Sequence, residues 1–225
     1  MCSTASFKEI ALFVSRFTSG AFAIAALAVA CAPPRIAALP GTSAPSRTLP
    51  VPALPTGHRK IVFHWELKDQ DLTARGDGVA RIAYPDSVRL DFFLGGSYDG
   101  GAAILIGDSL AVPGPEVTRR LVPPRALLWA ALGRLDLHAE RDTVVRVDGP
   151  TIRADIGSPV HWRVSFRGDS LARLERVDGG RLREWVDRSP DQRVLYRHES
   201  SGRTLSLVIQ RSDAVSAFDP SIWHL

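Results

Sequence analysis

The tetrapeptide Gly-Asp-Ser-Leu occurs twice, at 107–110 and 168–171, each time followed by alanine. A serine hydroxyl attacks an ester only after a histidine has taken its proton, so Ser109 or Ser170 needs a base within reach. The closing stretch Asp219-Pro220-Ser221-Ile222-Trp223-His224 spaces its aspartate and histidine too widely for the Asp-x-x-His that accompanies such a serine in esterases. Both copies instead lie between apolar runs, where Gly-Asp supplies a hairpin turn. The histidines (58, 64, 138, 161, 198 and 224) contain no His-x-x-x-His, and each reads as a strand or loop residue with a local hydrogen bond. The stretch Gly95-Gly96-Ser97-Tyr98-Asp99-Gly100-Gly101 lacks the Lys-Ser/Thr of a phosphate loop and reads as a mobile loop between two strands. No catalytic residue, metal ligand or cofactor is expected, and the chain reads as a non-enzyme.

The remaining reactive groups are two thiols, Cys2 and Cys31, so nothing beyond residue 31 can be cross-linked or hold a metal through thiolates. Lys8 and Arg16 face a single acid, Glu9, ahead of the uncharged run Ala21 to Ala30, the positive flank and short apolar core of a secretory signal. That run is too short to span a bilayer, which needs roughly 20 residues. Leu27-Ala28-Val29-Ala30-Cys31 resembles the lipobox of bacterial lipoproteins, in which the cysteine is acylated and the signal is cut just before it. Cys31 beside an ordinary Ala-x-Ala cleavage site is the alternative. The expected organisation is a signal over 1–30, a lipidated Cys31 with a proline-rich tether over 31–57, and a folded domain over 58–225. Ala32, in place of an aspartate that favours inner-membrane retention, points to the periplasmic face of the outer membrane. The tether holds Pro33, Pro34, Pro40, Pro45, Pro50, Pro52 and Pro55 and reads as semi-extended chain, or else as an ordered loop packed on the domain.

The elements that position any site begin at Lys60, where the period becomes two: Ile61, Phe63, Trp65 and Leu67 alternate with wetter residues. The alternation returns at Ala80–Tyr84, Val88–Leu94, Val145–Val147, Ile152–Ile156, Trp162–Phe166 and Leu205–Ile209, separated by short turn signals such as Pro85-Asp86-Ser87 and Asp178-Gly179-Gly180. Connections this short suit antiparallel neighbours. The expectation is ten or eleven strands, consecutive in space, in a mainly β (α+β) fold. One segment, Pro123 to Gly133, opens on prolines, continues with helix formers and stops at glycine, so it predicts a helix able to cover the concave face. A composition of 45% hydrophobic and 23% charged residues fits a globular chain and excludes a long disordered one. The 25 arginines are interleaved with acids and form no basic block, so nucleic acid is not an expected partner.

What stands out is aromatic and aliphatic surface. Phe63, Trp65, Leu90, Phe92, Trp129, Leu132, Trp162, Phe166 and Trp185 are candidate ligand-binding residues if the sheet and helix leave a cavity, with ordinary core packing as the alternative. The acylation motif at Cys31, the strand Ile61–Leu67, the run Ser87 to Ser97, the helix at 124–133 and the closing Phe218 to Leu225 together resemble the LolA/LolB-type lipoprotein-localisation fold, in its LolB-like outer-membrane branch. The resemblance implies an antiparallel meander forming an unclosed β-barrel with a helical lid, and an apolar cavity for acyl chains of a lipoprotein cargo. It also implies a protruding loop at 94–101, with Leu94 or Tyr98 as the membrane-inserting residue. The competing expectation is a structural lipoprotein that docks a protein partner of an envelope complex and carries no lipid.

Overall fold

One antiparallel sheet of thirteen strands dominates the computed structural model, which describes residues 33–46, 49–95 and 97–224, with only the backbone of 97–99. The expected signal, Cys31 and the side chain of Tyr98 lie outside what is described. The strands are β1 (Thr42–Ala44), β2 (His58–Lys68), β3 (Thr73–Ala83), β4 (Ser87–Leu94), β5 (Ser97–Ile106) and β6 (Ser109–Ala111), then β7 (Val144–Asp148), β8 (Thr151–Ile156), β9 (Trp162–Arg167), β10 (Ser170–Asp178), β11 (Arg181–Arg188), β12 (Arg193–His198) and β13 (Thr204–Val215). Between β6 and β7 come two short helices, α1 (Glu116–Leu121) and α2 (Arg125–Ala131).

The spatial order is β1-β7-β8-β9-β10-β11-β12-β13-β2-β3-β4-β5-β6. The strands are therefore not simply consecutive, as the turn signals suggested. The long strand β13 pairs with β2 along its whole length, from Thr204 opposite Lys68 to Val215 opposite His58. This joins the two halves of the chain at the middle of the sheet. The sheet's edges are β6 and β1, with β7 next to β1, and the helical segment carries the chain from one edge to the other. The barrel stays unclosed.

Alternation decides which side is core. In β2, Phe63, Trp65 and Leu67 are buried while His64, Glu66 and Lys68 are exposed; in β4, Val88, Leu90 and Phe92 are buried. Burying a side chain of this size contributes roughly 1.5–3 kcal/mol, so this parity fixes the register strongly. The opposite face carries charges, such as Arg89, which donates from Nε to Asp91 at 2.9 Å and from Nη1 to the Ile222 carbonyl at 2.8 Å. That second bond docks the closing 3-10 turn, Pro220–Trp223, on the outside of the sheet.

Two expectations are corrected. The proline-rich segment is not a free tether: its residues lie along the domain. Arg35 bridges Arg181, Ile36 donates to the Gly180 carbonyl at 3.0 Å, β1 pairs with β7, and Leu54 is buried in the core. Proline removes a donor but keeps its acceptor. The Pro34 carbonyl accepts from Leu182 N–H at 2.9 Å and the Pro52 carbonyl from Leu135 N–H at 3.1 Å. The glycine-rich stretch is likewise strand, not a long protruding loop. β4 ends at Leu94 and β5 begins at Ser97, which pairs with it. Glycine is required here by close approach: a Cβ at Gly100 would stand 1.4 Å from the Phe92 carbonyl oxygen, and one at Gly101 1.9 Å from Thr118 Oγ1 of α1. Leu94 itself packs against the core.

Candidate functional site

α2 has seven residues, no side-chain hydrogen bond at its N-cap and no acid in its first turn. An isolated helix that short is unstable in water, so burial must hold it. Leu127, Leu128, Trp129, Ala130 and Ala131 are all buried, and the helix rests against β10, β11 and β12, while α1 touches β5. The helical segment thus stands over the same face of the sheet that the alternation makes apolar.

Helix and sheet do not meet everywhere. Between them lies a narrow cleft, partly open to solvent, with a cavity volume of about 60 Å³. Its floor is Ile61 and Phe63 of β2, Ala80 of β3, Leu90 and Phe92 of β4, Val194 and Tyr196 of β12, and Leu205, Leu207 and Ile209 of β13. Its roof is Leu121, Pro123, Leu128, Ala131 and Leu132. The cleft is therefore centred on the β13–β2 junction. Phe63 and Phe92 meet edge to face with centroids 6.0 Å apart, and Trp65 meets Phe92 at 6.2 Å, which stiffens one wall.

Two polar groups reach this lining. The Tyr196 hydroxyl donates to Glu184 Oε2 at 2.8 Å and accepts from Arg203 Nη2 at 3.1 Å. Burial, and next the negative charge of Glu184, push its pKa above the ordinary tyrosine value, so it stays protonated. Glu184 is 1% exposed and its Oε1 lies in an ion pair with Arg176 Nε at 2.6 Å, so its charge is compensated within the fold. The other group is Arg188, the last residue of β11, directly across from Val194. Its Nη1 is sealed from solvent without a hydrogen-bond partner, and burial pushes the guanidinium below its ordinary pKa.

Of the residues singled out by sequence, Phe63, Leu90, Phe92 and Leu132 come together around the cleft. Trp65, Trp129 and Phe166 are buried in the core beside it, and Trp162 is partly buried against that core. Trp185 does not belong with them. Its strand neighbours Glu184 and Val186 point inward, so Trp185 faces out, donating from Nε1 to Glu199 at 2.7 Å beneath the Arg173 guanidinium at 3.9 Å. Parity overrode the aromatic signal: Glu184 is buried, with the Tyr196 hydroxyl bonded to Oε2 and the Arg176 charge beside Oε1. Sequence reasoning missed Arg188 for the related reason that β11 carries charges on both faces.

The serines of the repeated tetrapeptide sit at hairpin turns, Ser109 opposite Ile106 and Ser170 opposite Arg167. His64 pairs with Asp77 on the exposed face, and His198 is bound by Ser200 and Ser201. Among the described residues no cluster of His, Cys, Asp or Glu could hold a metal ion.

The sequence matches no family model and no curated protein. Among solved structures, the chain is similar to a LolA-superfamily protein of Nitrosomonas europaea, with a TM-score of 0.49 and 12% identity over 76% of this chain and 91% of that one. It is also similar to the domain of an outer membrane lipoprotein-sorting protein from Vibrio parahaemolyticus, with a TM-score of 0.45 and 9% identity over 74% and 89% of the two chains. A DUF1329-family protein of Desulfovibrio piger gives a TM-score of 0.40 and 9% identity over 75% and 90%. Likeness at this level says nothing of a ligand, which the residues of the cleft have to specify.

Proposed function

We propose that this protein binds acyl chains in the cleft between α2 and the β13–β2 junction, without a catalytic step, and does so at a membrane to which a lipid on Cys31 holds it. The observation that carries this reading is the cleft itself: sixteen lining residues of which all but Tyr196 and Arg188 are aliphatic, phenylalanine or proline. A concave apolar site with few polar groups suits an acyl chain, which gains about 0.8 kcal/mol per methylene removed from water. Delivery of a lipoprotein to the outer membrane, the role of LolB-like proteins, is the finer form of the same reading, with the periplasmic face of that membrane as its setting.

The ordered N-terminal segment adds a geometric consequence. Chain described against the domain starts at Pro33, two residues after Cys31. An extended chain reaches at most about 3.6 Å per residue, so a lipid on Cys31 would hold the domain within roughly 7 Å of its anchor point. The anchor would then lie close to Pro33, beside the β10–β11 turn to which Pro34 and Ile36 are bonded.

The test is direct binding. A fluorescent fatty acid titrated into the delipidated protein is expected to saturate at one site with micromolar or tighter affinity and to be displaced by an unlabelled chain of equal length. Absence of saturable binding, together with recovery of one stoichiometric protein partner by crosslinking in cells, would favour the structural-lipoprotein reading instead.

A further inference from the structure

Arg188 sets what sits at the end of the chain. Two other partly buried arginines have a carboxylate in contact: Arg163 has Asp155 at 2.7 Å and Arg173 has Glu175 at 2.6 Å. Arg188 has none among the described residues. Its nearest acids are committed or turned away. Asp187 is on the other face of β11, 3.6 Å from Arg173, and Glu184 is taken by Arg176 and Tyr196. Across the ladder stands Val194, α2 carries no acid, and Asp136 beyond it accepts from Arg134 at 3.2 Å. The guanidinium lies against Gly133 at the end of α2, where a Cβ would come within 2.2 Å of Nη1.

A guanidinium keeps its charge at neutral pH whatever its surroundings. One whose Nη1 is cut off from solvent with no acceptor is unfavourable, and the missing partner is an anion that fits its planar fork. Apart from Tyr196, whose hydroxyl is bonded to Glu184, the rest of the lining is apolar, so that anion must be carried on an apolar body. From Arg188 on β11 to Phe92 on β4 the sheet runs through five strand spacings of about 4.8 Å, roughly 24 Å along its curve, a path suited to a long chain.

We infer that the cleft takes a long single-chain amphiphile ending in a carboxylate, with the carboxylate paired to Arg188 and the chain laid along Ile209, Leu207 and Phe63 toward Phe92. This rests on the acyl-binding reading above and narrows it from any acyl chain to a free fatty acid.

The experiment compares palmitate with hexadecanol, equal in chain length and different in charge, on the full chain and on its Arg188→Leu and Arg188→Lys variants. The wild type is expected to bind palmitate at least tenfold more tightly than hexadecanol. Arg188→Leu is expected to lose that preference, keep or improve hexadecanol binding, and melt no lower than wild type, because an unpaired cation has been replaced by an apolar group. Arg188→Lys is expected to restore part of the preference. Equal binding of both ligands by the wild type, or an unchanged palmitate preference in Arg188→Leu, would overturn the inference and leave acyl binding standing. Binding of neither ligand would overturn both.

Discussion

Replacing Ala131 with phenylalanine is expected to weaken binding of an acyl probe about a hundredfold while the domain stays folded. Ala131 is the last residue of α2 and lines the same cleft as Leu205 and Leu207. A benzyl group there points into space that a chain would otherwise fill. Displacing about four methylenes, at about 0.8 kcal/mol each, removes about 3 kcal/mol of binding, which is close to two decades in affinity. Overpacking a filled core costs about 1–3 kcal/mol, and a ring that enters an existing gap is at the low end of that range. Trp185→Ala is the matching control. Because Trp185 stacks under Arg173 on the outer face, its loss is expected to leave probe affinity within twofold of wild type. Fluorescence titration of the two variants in parallel separates a cleft from a general apolar surface.

Trp129→Ala is expected to be the most damaging single truncation for stability, at about 3–5 kcal/mol. Trp129 is fully buried, is the fifth of seven residues in a helix too short to persist alone, and is covered by the Arg134 guanidinium 4.4 Å from the ring centroid. Removing it empties the contact between α2 and the strands beneath and frees the helix that roofs the cleft. Against a typical stability of about 5–15 kcal/mol, the loss should lower the melting midpoint on the order of 10 °C. Trp129→Phe should cost clearly less, since the indole N–H has no hydrogen-bond partner in its buried place and phenylalanine retains most of the ring. Thermal melts followed by near-ultraviolet circular dichroism would separate the two.

Much of the sheet was legible because its strands are amphipathic at period two. Phe63, Trp65 and Leu67, and Val88, Leu90 and Phe92, each declared a face, and the helix at 125–131 declared itself through its flanking prolines and Gly133. What could not be read was which strands meet. The β13–β2 ladder joins residues more than a hundred positions apart, and alternation fixes the face a strand presents but not its neighbour. Two composition signals pointed the wrong way for physical reasons. Prolines suggested a solvated tether, yet their carbonyls remain acceptors, and Leu182 and Leu135 use them. Glycines at 100 and 101 suggested mobility, yet they mark where the backbone passes against Phe92 and Thr118. The candidate site was half legible: aromatic residues of β2 and β4 were found by type, whereas Arg188 was hidden in a strand whose charges occupy both faces.

The central claim is that acyl chains enter beneath α2. The most direct test is photolabelling with a fatty acid bearing a diazirine near its methyl end, followed by mapping of the labelled peptides. The account expects the label on the peptides carrying Phe63, Phe92 and Leu128 to Leu132, competed away by unlabelled chain. Label confined to the outer face, around Trp185 or His64, or label that no unlabelled chain displaces, would contradict it.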